Sequence, residues 1–457
     1  MNRLTYELRS QENKQTTELS MKRVACVLSL MAGFCLIPST ALAQEADVAI
    51  SPANTAWILT ATALVLFMTI PGLSLFYAGL VRRKNVLSVL MHCFIITALM
   101  SVVWLVCGYS IAFGEANSYW GGLAKVFAGG VEASSAVGES GSAIPEYLFL
   151  AFQMTFFIIT PALMVGAFVE RMKFSAMILF TTLWGIFVYA PVCHWVWGGN
   201  GFMFEWGTKD LAGGIVVHIT AGIGALVACI MVGPRKGYGT AQFQPHNLPM
   251  CVTGTGMLWV GWFGFNAGSG LAANGDAAQT LLVTHISAAT ATIVWSLAEK
   301  LKHGKASVLG AVTGSIAGLA AITPASGDVG PVGGLAIGAA AGFICWFAST
   351  AVKSKFGYDD SLDVVGVHGV GGLVGTLMVA FFAADSLGGK SGSDYAMGEQ
   401  FIVQFKASAI TIVYTLMISA VLLFIVKAIC GGSLRVSESD EEEGLDLAAH
   451  GESGYNN

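Results

Sequence analysis

Two histidines stand inside strongly apolar runs. One run reads Val217-His218-Ile219-Thr220-Ala221-Gly222, the other Val367-His368-Gly369-Val370-Gly371-Gly372. In each, a valine precedes the histidine and a glycine follows four residues later. An aspartate lies upstream of each, Asp210 and Asp363. Imidazole can hydrogen-bond, relay a proton or bind a metal. Ionisable groups at membrane depth are costly and are functional candidates by default. A single membrane histidine is ordinarily a packing residue; two at matching positions point to a shared role. Two imidazoles also suit zinc or copper. No third Cys, Asp or Glu lies at comparable depth, so no metal site is expected. The pair should lie ring to ring and share one hydrogen bond, both rings neutral, because adjacent imidazolium charges in a dry lumen would repel. His92 and His285 lack the pattern and read as structural.

A second cluster is aromatic. Phe152 and Phe156 are four residues apart, on one face of a helix. Trp197 ends the next apolar run. Ser269 ends a later run on the same side, with Phe265 one turn before it. Aromatic faces attract cations, more so where water is scarce. A serine hydroxyl can accept an N–H hydrogen bond. Such a vestibule suits a small monovalent cation. An interfacial aromatic belt is the alternative reading of the same residues.

These groups must be positioned by membrane helices. Of the 457 residues, 55% are hydrophobic and only 11% charged, against about 25% charged in an ordinary soluble domain. Mean hydropathy is +0.69. A soluble enzyme is excluded. With 23 Lys and Arg against 28 Asp and Glu, and no basic patch, so is a nucleic-acid binder. Eleven apolar runs of mostly bilayer-spanning length occupy residues 55–80, 86–113, 147–169, 174–197, 211–232, 248–269, 279–298, 306–323, 332–352, 364–384 and 405–429. The 56 glycines suggest helices packed backbone to backbone. The histidine runs are five spans apart. Five is odd, so two five-helix halves would have opposite topology, an inverted repeat. The nine cysteines show no CxxC pair and read as buried small hydrophobes.

Residues 1–20 are polar. Met21-Lys22-Arg23, an apolar stretch over 24–38 and Ala41-Leu42-Ala43 then form a signal peptide cut after Ala43. Met21 is a candidate true start, and an uncleaved first helix is the alternative. The domain reading is therefore 1–43 for extension and signal peptide, 44–430 for the membrane domain and 431–457 for an acidic tail. One alternating set of loops carries fourteen Lys and Arg, the other only four. The positive-inside rule puts the richer set in the cytoplasm, with the mature N-terminus outside and the C-terminus inside. The tail holds seven acidic residues against Arg435. By composition alone it reads as a solvated, disordered segment.

At these residues the chain resembles the ammonium transporter family, which includes ammonium channels and Rhesus-related proteins, and it is most similar to bacterial members. The resemblance rests on "TALVLFMTIPGLSLFYAGLVRRKNVLS", "AFQMTFF", "DLAGGIVVHI", "PHNLPM", "GWFGFNAGS", "DVVGVHGVGG" and the tail "EGLDLAAHGES", in order along the mature chain. It implies an all-α polytopic membrane protein of eleven transmembrane helices, a homotrimer in the inner membrane and one pore per subunit. It implies an outer recruitment site of Phe156, Trp197 and Ser269, with Phe152 beside it. It also implies a gate of Phe156 over Phe265 and the pore histidines His218 and His368. Asp210 matches the family carboxylate that supports the outer site by capping a helix. Leu211 departs from the family, which often has an aromatic there. The tail's similarity suggests docking of a PII-type nitrogen regulatory protein. No cofactor is implied.

The expected function is transport of ammonium or ammonia, with methylammonium as analogue, and not an enzyme activity. Ammonium and potassium are similar in size, so selectivity needs a step only ammonium can make, the loss of a proton. An ion-coupled transporter of organic solutes is disfavoured by the short Gly/Pro interruptions. An ammonium sensor would need a signalling domain after the last span. A Rhesus-type gas channel would lack Trp197.

Overall fold

The computed structural model describes residues 48–455. The extension and signal peptide expected over 1–43 lie outside the described residues. Among the described residues, nine helices are long and apolar enough to cross a membrane. In chain order they are α1 (Pro52–Leu80), α2 (Arg83–Phe113), α3 (Glu146–Phe168), α4 (Phe174–Glu205), α5 (Gly214–Val232), α7 (Gly275–His303), α9 (Pro331–Phe356), α10 (Val365–Phe382) and α11 (Met397–Ile429). Between them lie α6 (Leu248–Gly268) and α8 (Val308–Ile322). Glycines and tryptophans make α6 less hydropathic than its neighbours. At roughly 1.5 Å per residue, α8 is shorter than a hydrocarbon core. Its chain continues into a buried loop at Thr323, Ala325, Ser326 and Val329. The loop between α2 and α3 carries a two-residue hairpin, β1 (Ala136–Val137) on β2 (Ile144–Pro145).

Several boundaries differ from the apolar runs. α11 begins at Met397 rather than 405, because Glu399, Gln400 and Gln404 extend the helix beyond its apolar stretch. Gln404 is fully buried and brackets the Lys209 backbone, accepting from its N–H at 2.9 Å and donating to its carbonyl at 2.7 Å. The helix of α4 that bears Trp197 ends there, where Gly198 turns extended.

The loops rich in Lys and Arg gather on one face. Arg82 pairs with Glu170 at 2.9 Å. Arg235 grips Asp359 through Nε at 2.9 Å and a terminal nitrogen at 2.7 Å. Arg171, fully buried, donates to the carbonyls of Gly233, Ala167 and Asp359. Burial alone would raise the Asp359 carboxyl, but bonds and charge from Arg235 hold it below the ordinary range. Seven cysteines among the described residues are free, five of them buried.

The tail is folded onto this face, which corrects the compositional reading of a solvated segment. It forms α12 (Glu438–Glu443) and α13 (Leu445–His450). Ser437 and Asp440 make a reciprocal cap for α12. Buried Glu441 accepts from the Lys236 N–H at 2.7 Å and pairs with Arg435. Asp446 accepts from the Ser88 N–H at 2.8 Å, and the Leu445 N–H reaches the Asn85 side chain at 2.8 Å. Three of the tail's acidic residues, Glu438, Glu441 and Glu442, meet the Lys236 loop.

α5 and α10 cross in near backbone contact. A Cβ built on Gly222 would meet the Gly369 Cα at 2.2 Å. One on Gly372 would meet the Gly214 oxygen and the His218 Cβ, both at 2.7 Å. The glycine four residues after each histidine is thus the contact that lets the two helices close. Gly222→Ala should force the backbones apart, costing about 1–3 kcal/mol. Thermal unfolding of the purified protein in detergent checks this; an unshifted midpoint would mean that the crossing relaxes freely.

Candidate functional site

Both histidines sit in wide, π-type first turns of their helices, Gly214–Ile219 and Val365–Gly369. In the first, the His218 N–H reaches back to Gly213 at 2.9 Å. Such turns are rare and cluster at functional sites; nothing in the apolar pattern announces them. What fixes the turns is a carboxylate eight residues before each histidine. Buried Asp210 accepts four backbone N–H groups, Gly213 at 3.0 Å, Gly214 at 2.5 Å, Ile215 at 2.9 Å and Val216 at 3.2 Å. These are donors that a helix start leaves unpaired. Burial pushes the Asp210 carboxyl up to about 6, against the pull of those four N–H groups.

At the start of α10 the equivalent group is Asp360, not Asp363. Asp360 is buried and accepts the Val365 N–H at 2.7 Å. Burial raises it to about 6, with Lys353 drawing it the other way. Asp363 instead turns through a positive φ of 61° and pairs with Lys353 at 2.7 Å. Its counterpart before α5 is Gly213, at φ 112°. The two helix starts therefore match residue for residue: Asp210 with Asp360, Gly213 with Asp363, His218 with His368, Gly222 with Gly372. The aspartate named from the sequence lay three positions late, because proximity to the apolar run is no guide to which carboxylate turns inward.

The rings of His218 and His368 lie 5.2 Å apart at 21°, with their Nδ1 atoms 3.3 Å from one another. Both rings are buried, and His218 Nε2 has no hydrogen-bond partner. Trp262 stacks on His218 at 5.6 Å and is itself held by Thr323 through a 2.9 Å bond. A cavity of about 10 Å³ lies against this pair, room for about one water-sized molecule. Its walls are otherwise apolar, among them Met68, Leu73, Ile159 and Leu163.

A file of rings leads away from the histidines. Phe265 lies 6.2 Å from His218, Phe156 is 4.3 Å from Phe265, and Trp197 meets Phe156 edge-on at 5.8 Å. Phe156 and Phe265 are both almost fully buried. Beyond Phe156 opens a cavity of about 560 Å³ lined by Trp197, Ser269, Asp210 and others. It lies on the face opposite the basic loops. The Trp197 indole donates to the Asp210 main-chain oxygen at 2.7 Å, so one residue caps α5 and holds the tryptophan. Ser269 spends its proton on the Phe265 carbonyl at 2.7 Å, which leaves its oxygen free to accept. Phe152 does not line this cavity; it packs fully buried behind Phe156 at 5.1 Å.

Sequence reasoning passed over Gln153. It lies on α3 between Phe149 and Phe156, lines the same cavity, and its buried Oε1 has no hydrogen-bond partner. A lone amide on a phenylalanine-rich helix face was the available signal. Also passed over were Lys209 and Asp328, paired across this cavity. His92 and His285, read as structural, lie away from the ring file, His92 stacked on Phe174 and His285 tilted against Trp259. Among the described residues, no three His, Cys, Asp or Glu side chains gather to hold a metal.

The chain matches the model of the Ammonium Transporter Family over residues 56–455. It is 44% identical over 433 residues to an ammonium transporter of Aquifex aeolicus, covering 95% of this chain and 98% of that one. It is 43% identical over 432 residues to an ammonium transporter of Mycobacterium tuberculosis, covering 88% and 90%. Among solved structures, one described as a sensor Amt protein superposes with a TM-score of 0.80 at 29% identity, covering 87% of this chain and 98% of the other. Mep2 of Candida albicans superposes at 0.79 with 31% identity, covering 86% and 88%.

Removing the Asp210 carboxylate should be severe. Asp210→Ala strands four buried N–H donors, and bonds to a charged group are worth about 1.5–3 kcal/mol each. The expected outcome is little folded protein in the membrane, whereas Ser269→Ala, which removes one hydroxyl, leaves folding intact. Membrane abundance and detergent melting of the two variants check the difference; normal folding of Asp210→Ala would refute the capping role.

Proposed function

The chain belongs to the ammonium transporter family, and from that premise we propose how it moves its substrate. Ammonium is recruited from outside at Trp197, Phe156 and Ser269. It loses a proton near the Phe156–Phe265 gate, and neutral ammonia then passes His218 and His368. The observation that carries this reading is the unbroken file of rings, Trp197, Phe156, Phe265, His218 and His368, between a wide vestibule and a cavity for one small molecule. A cation gains from the indole and phenyl faces. Past the stacked rings, a bare ion would have almost no replacement for its water shell, and a neutral molecule needs little. The histidines supply hydrogen bonds there and can relay the released proton.

The wider arrangement follows the same reading. Eleven spans follow cleavage after Ala43, with the basic-loop face in the cytoplasm. The halves containing α5 and α10 are an inverted repeat, supported by the residue-for-residue match of their helix starts. Three copies form a homotrimer in the inner membrane, contacting lipid around the outside. The folded tail, with Arg435 and the loops it grips, forms the docking face for a PII-type regulator that closes the inner mouths when nitrogen is ample.

Uptake of labelled methylammonium into transporter-deficient cells, competed by ammonium, tests the function. Trp197→Leu removes a cation–π contact of about 1–2 kcal/mol and should weaken low-concentration uptake about 5- to 30-fold without unfolding the protein. Unchanged uptake would make the tryptophan an interfacial-belt residue. Replacing either pore histidine by Glu should keep a polar lumen but admit potassium. Potassium flux against ammonium flux in that variant decides; unchanged discrimination would transfer selectivity to Phe156 and Phe265.

A further inference from the structure

The vestibule described above contains one partly buried pair of opposite charges. Lys209 lies just before Asp210, and its Nζ pairs with the Asp328 carboxylate in the loop between α8 and α9. Both side chains line the 560 Å³ cavity with Trp197, Phe156 and Ser269. Their side chains keep 21% and 25% of their surface open to the cavity. The pair is held with care. Gln404 fixes the Lys209 backbone on both sides, the Lys209 Nζ lies 5.7 Å from the Tyr395 ring, and the Asp328 carbonyl accepts the Lys390 N–H at 3.1 Å. The third charge at the cavity, Asp210, has both carboxylate oxygens committed to backbone N–H groups.

The lysine head group is an alkylammonium, chemically close to the cation that the vestibule is read to recruit. Asp328 is a carboxylate that would hold such a cation if the lysine were absent. A cleft with low-dielectric walls focuses the field of charges on its lining. We propose that Lys209 is a resident competitor: it neutralises Asp328, keeps monovalent cations from being trapped at the mouth by charge alone, and leaves selection to the aromatic site. This makes Lys209 and Asp328 tuning residues for substrate affinity. The inference rests on the recruitment reading of Trp197, Phe156 and Ser269.

The two charges predict opposite effects, which a purely structural pair would not give. Lys209→Met frees the carboxylate. It should lower the half-saturating methylammonium concentration about two- to five-fold and make uptake more sensitive to competing sodium or potassium. Asp328→Asn leaves the lysine charge facing the entering cation and should raise that concentration by a similar factor. The double variant Lys209→Met/Asp328→Asn and the conservative Lys209→Arg should both return close to the parent. The single-variant shifts should shrink as ionic strength is raised with an impermeant salt, since screening lengths fall from about 30 Å at 0.01 M to about 8 Å at 0.15 M. The measurement is concentration-dependent methylammonium uptake in transporter-deficient cells, normalised to the amount of each variant in the membrane, with Trp197→Leu run beside them. Single variants that shift in the same direction, or a double variant that fails to restore the parent value, overturn the proposal. If Trp197→Leu weakens uptake while both charge variants match the parent, this inference alone falls. If Trp197→Leu also matches the parent, the recruitment reading falls and the inference with it.

Discussion

A helix that starts inside a membrane-buried bundle leaves backbone N–H groups with no water to take them. The answer here is a carboxylate eight residues ahead of each of the two buried, facing histidines, and most of the site depends on it. Asp210 takes four such donors at once and thereby fixes where α5 begins and how it is rotated. That sets the direction of His218. The main-chain oxygen of the same residue holds the Trp197 indole. The Trp197 indole and the His218 turn are therefore positioned by one residue, Asp210. Asp360 caps α10 from the opposite face, and the glycines at the crossing let the two histidine turns come together.

The two faces of the bundle treat charge in opposite ways. On the basic face buried and half-buried arginines are absorbed: Arg171 by carbonyls, Arg235 by Asp359, Arg435 by Glu441. Buried pairs of this kind are costly to break because the partner is left charged and dry. They lock loops from α1 through α10 and the tail into one surface. On the other face the cavity keeps polar groups with capacity to spare: the Ser269 oxygen, Gln153 Oε1, and a partly buried charge pair. A rigid platform and a receptive mouth are what those two styles of electrostatics produce.

Much of this was legible in the sequence, for physical reasons. Long apolar runs have few alternatives to spanning helices, so their order and approximate limits could be read directly. Histidine in such a run is expensive enough to stand out, and the Val–His and Gly spacing marked two helices that meet. Phe152 shows the limit of periodicity. It shares a helix face with Phe156, yet only Phe156 reaches the cavity, because the four-residue step leaves Phe152 turned toward Gly268. Asp363 shows another: loop carboxylates cannot be told apart until φ is known. The tail misled by composition, since its partners are contributed by loops hundreds of residues earlier. Lys209 and Asp328 were invisible for the same reason, a pairing across 119 residues.

The magnitudes explain why recruitment and passage must use different chemistry on the proposed reading. At the vestibule a cation keeps much of its water, so aromatic faces worth about 0.5–2 kcal/mol suffice to concentrate it. They distinguish poorly between ions of one charge and similar size. Beyond Phe156 the walls are Met68, Leu73, Ile159 and Leu163, and polar contact is reduced to the edges of two imidazoles. An ion entering bare would forfeit solvation on the order of tens of kcal/mol, whereas a small neutral amine forfeits a few hydrogen bonds at a few kcal/mol. His218 Nε2, buried and without a partner, can return part of that smaller loss. No plausible cation–π gain offsets the larger one. Selectivity against alkali ions then follows from a property they lack, a proton that can be left behind. The ring file needs only to be dry and narrow for that difference to be enforced.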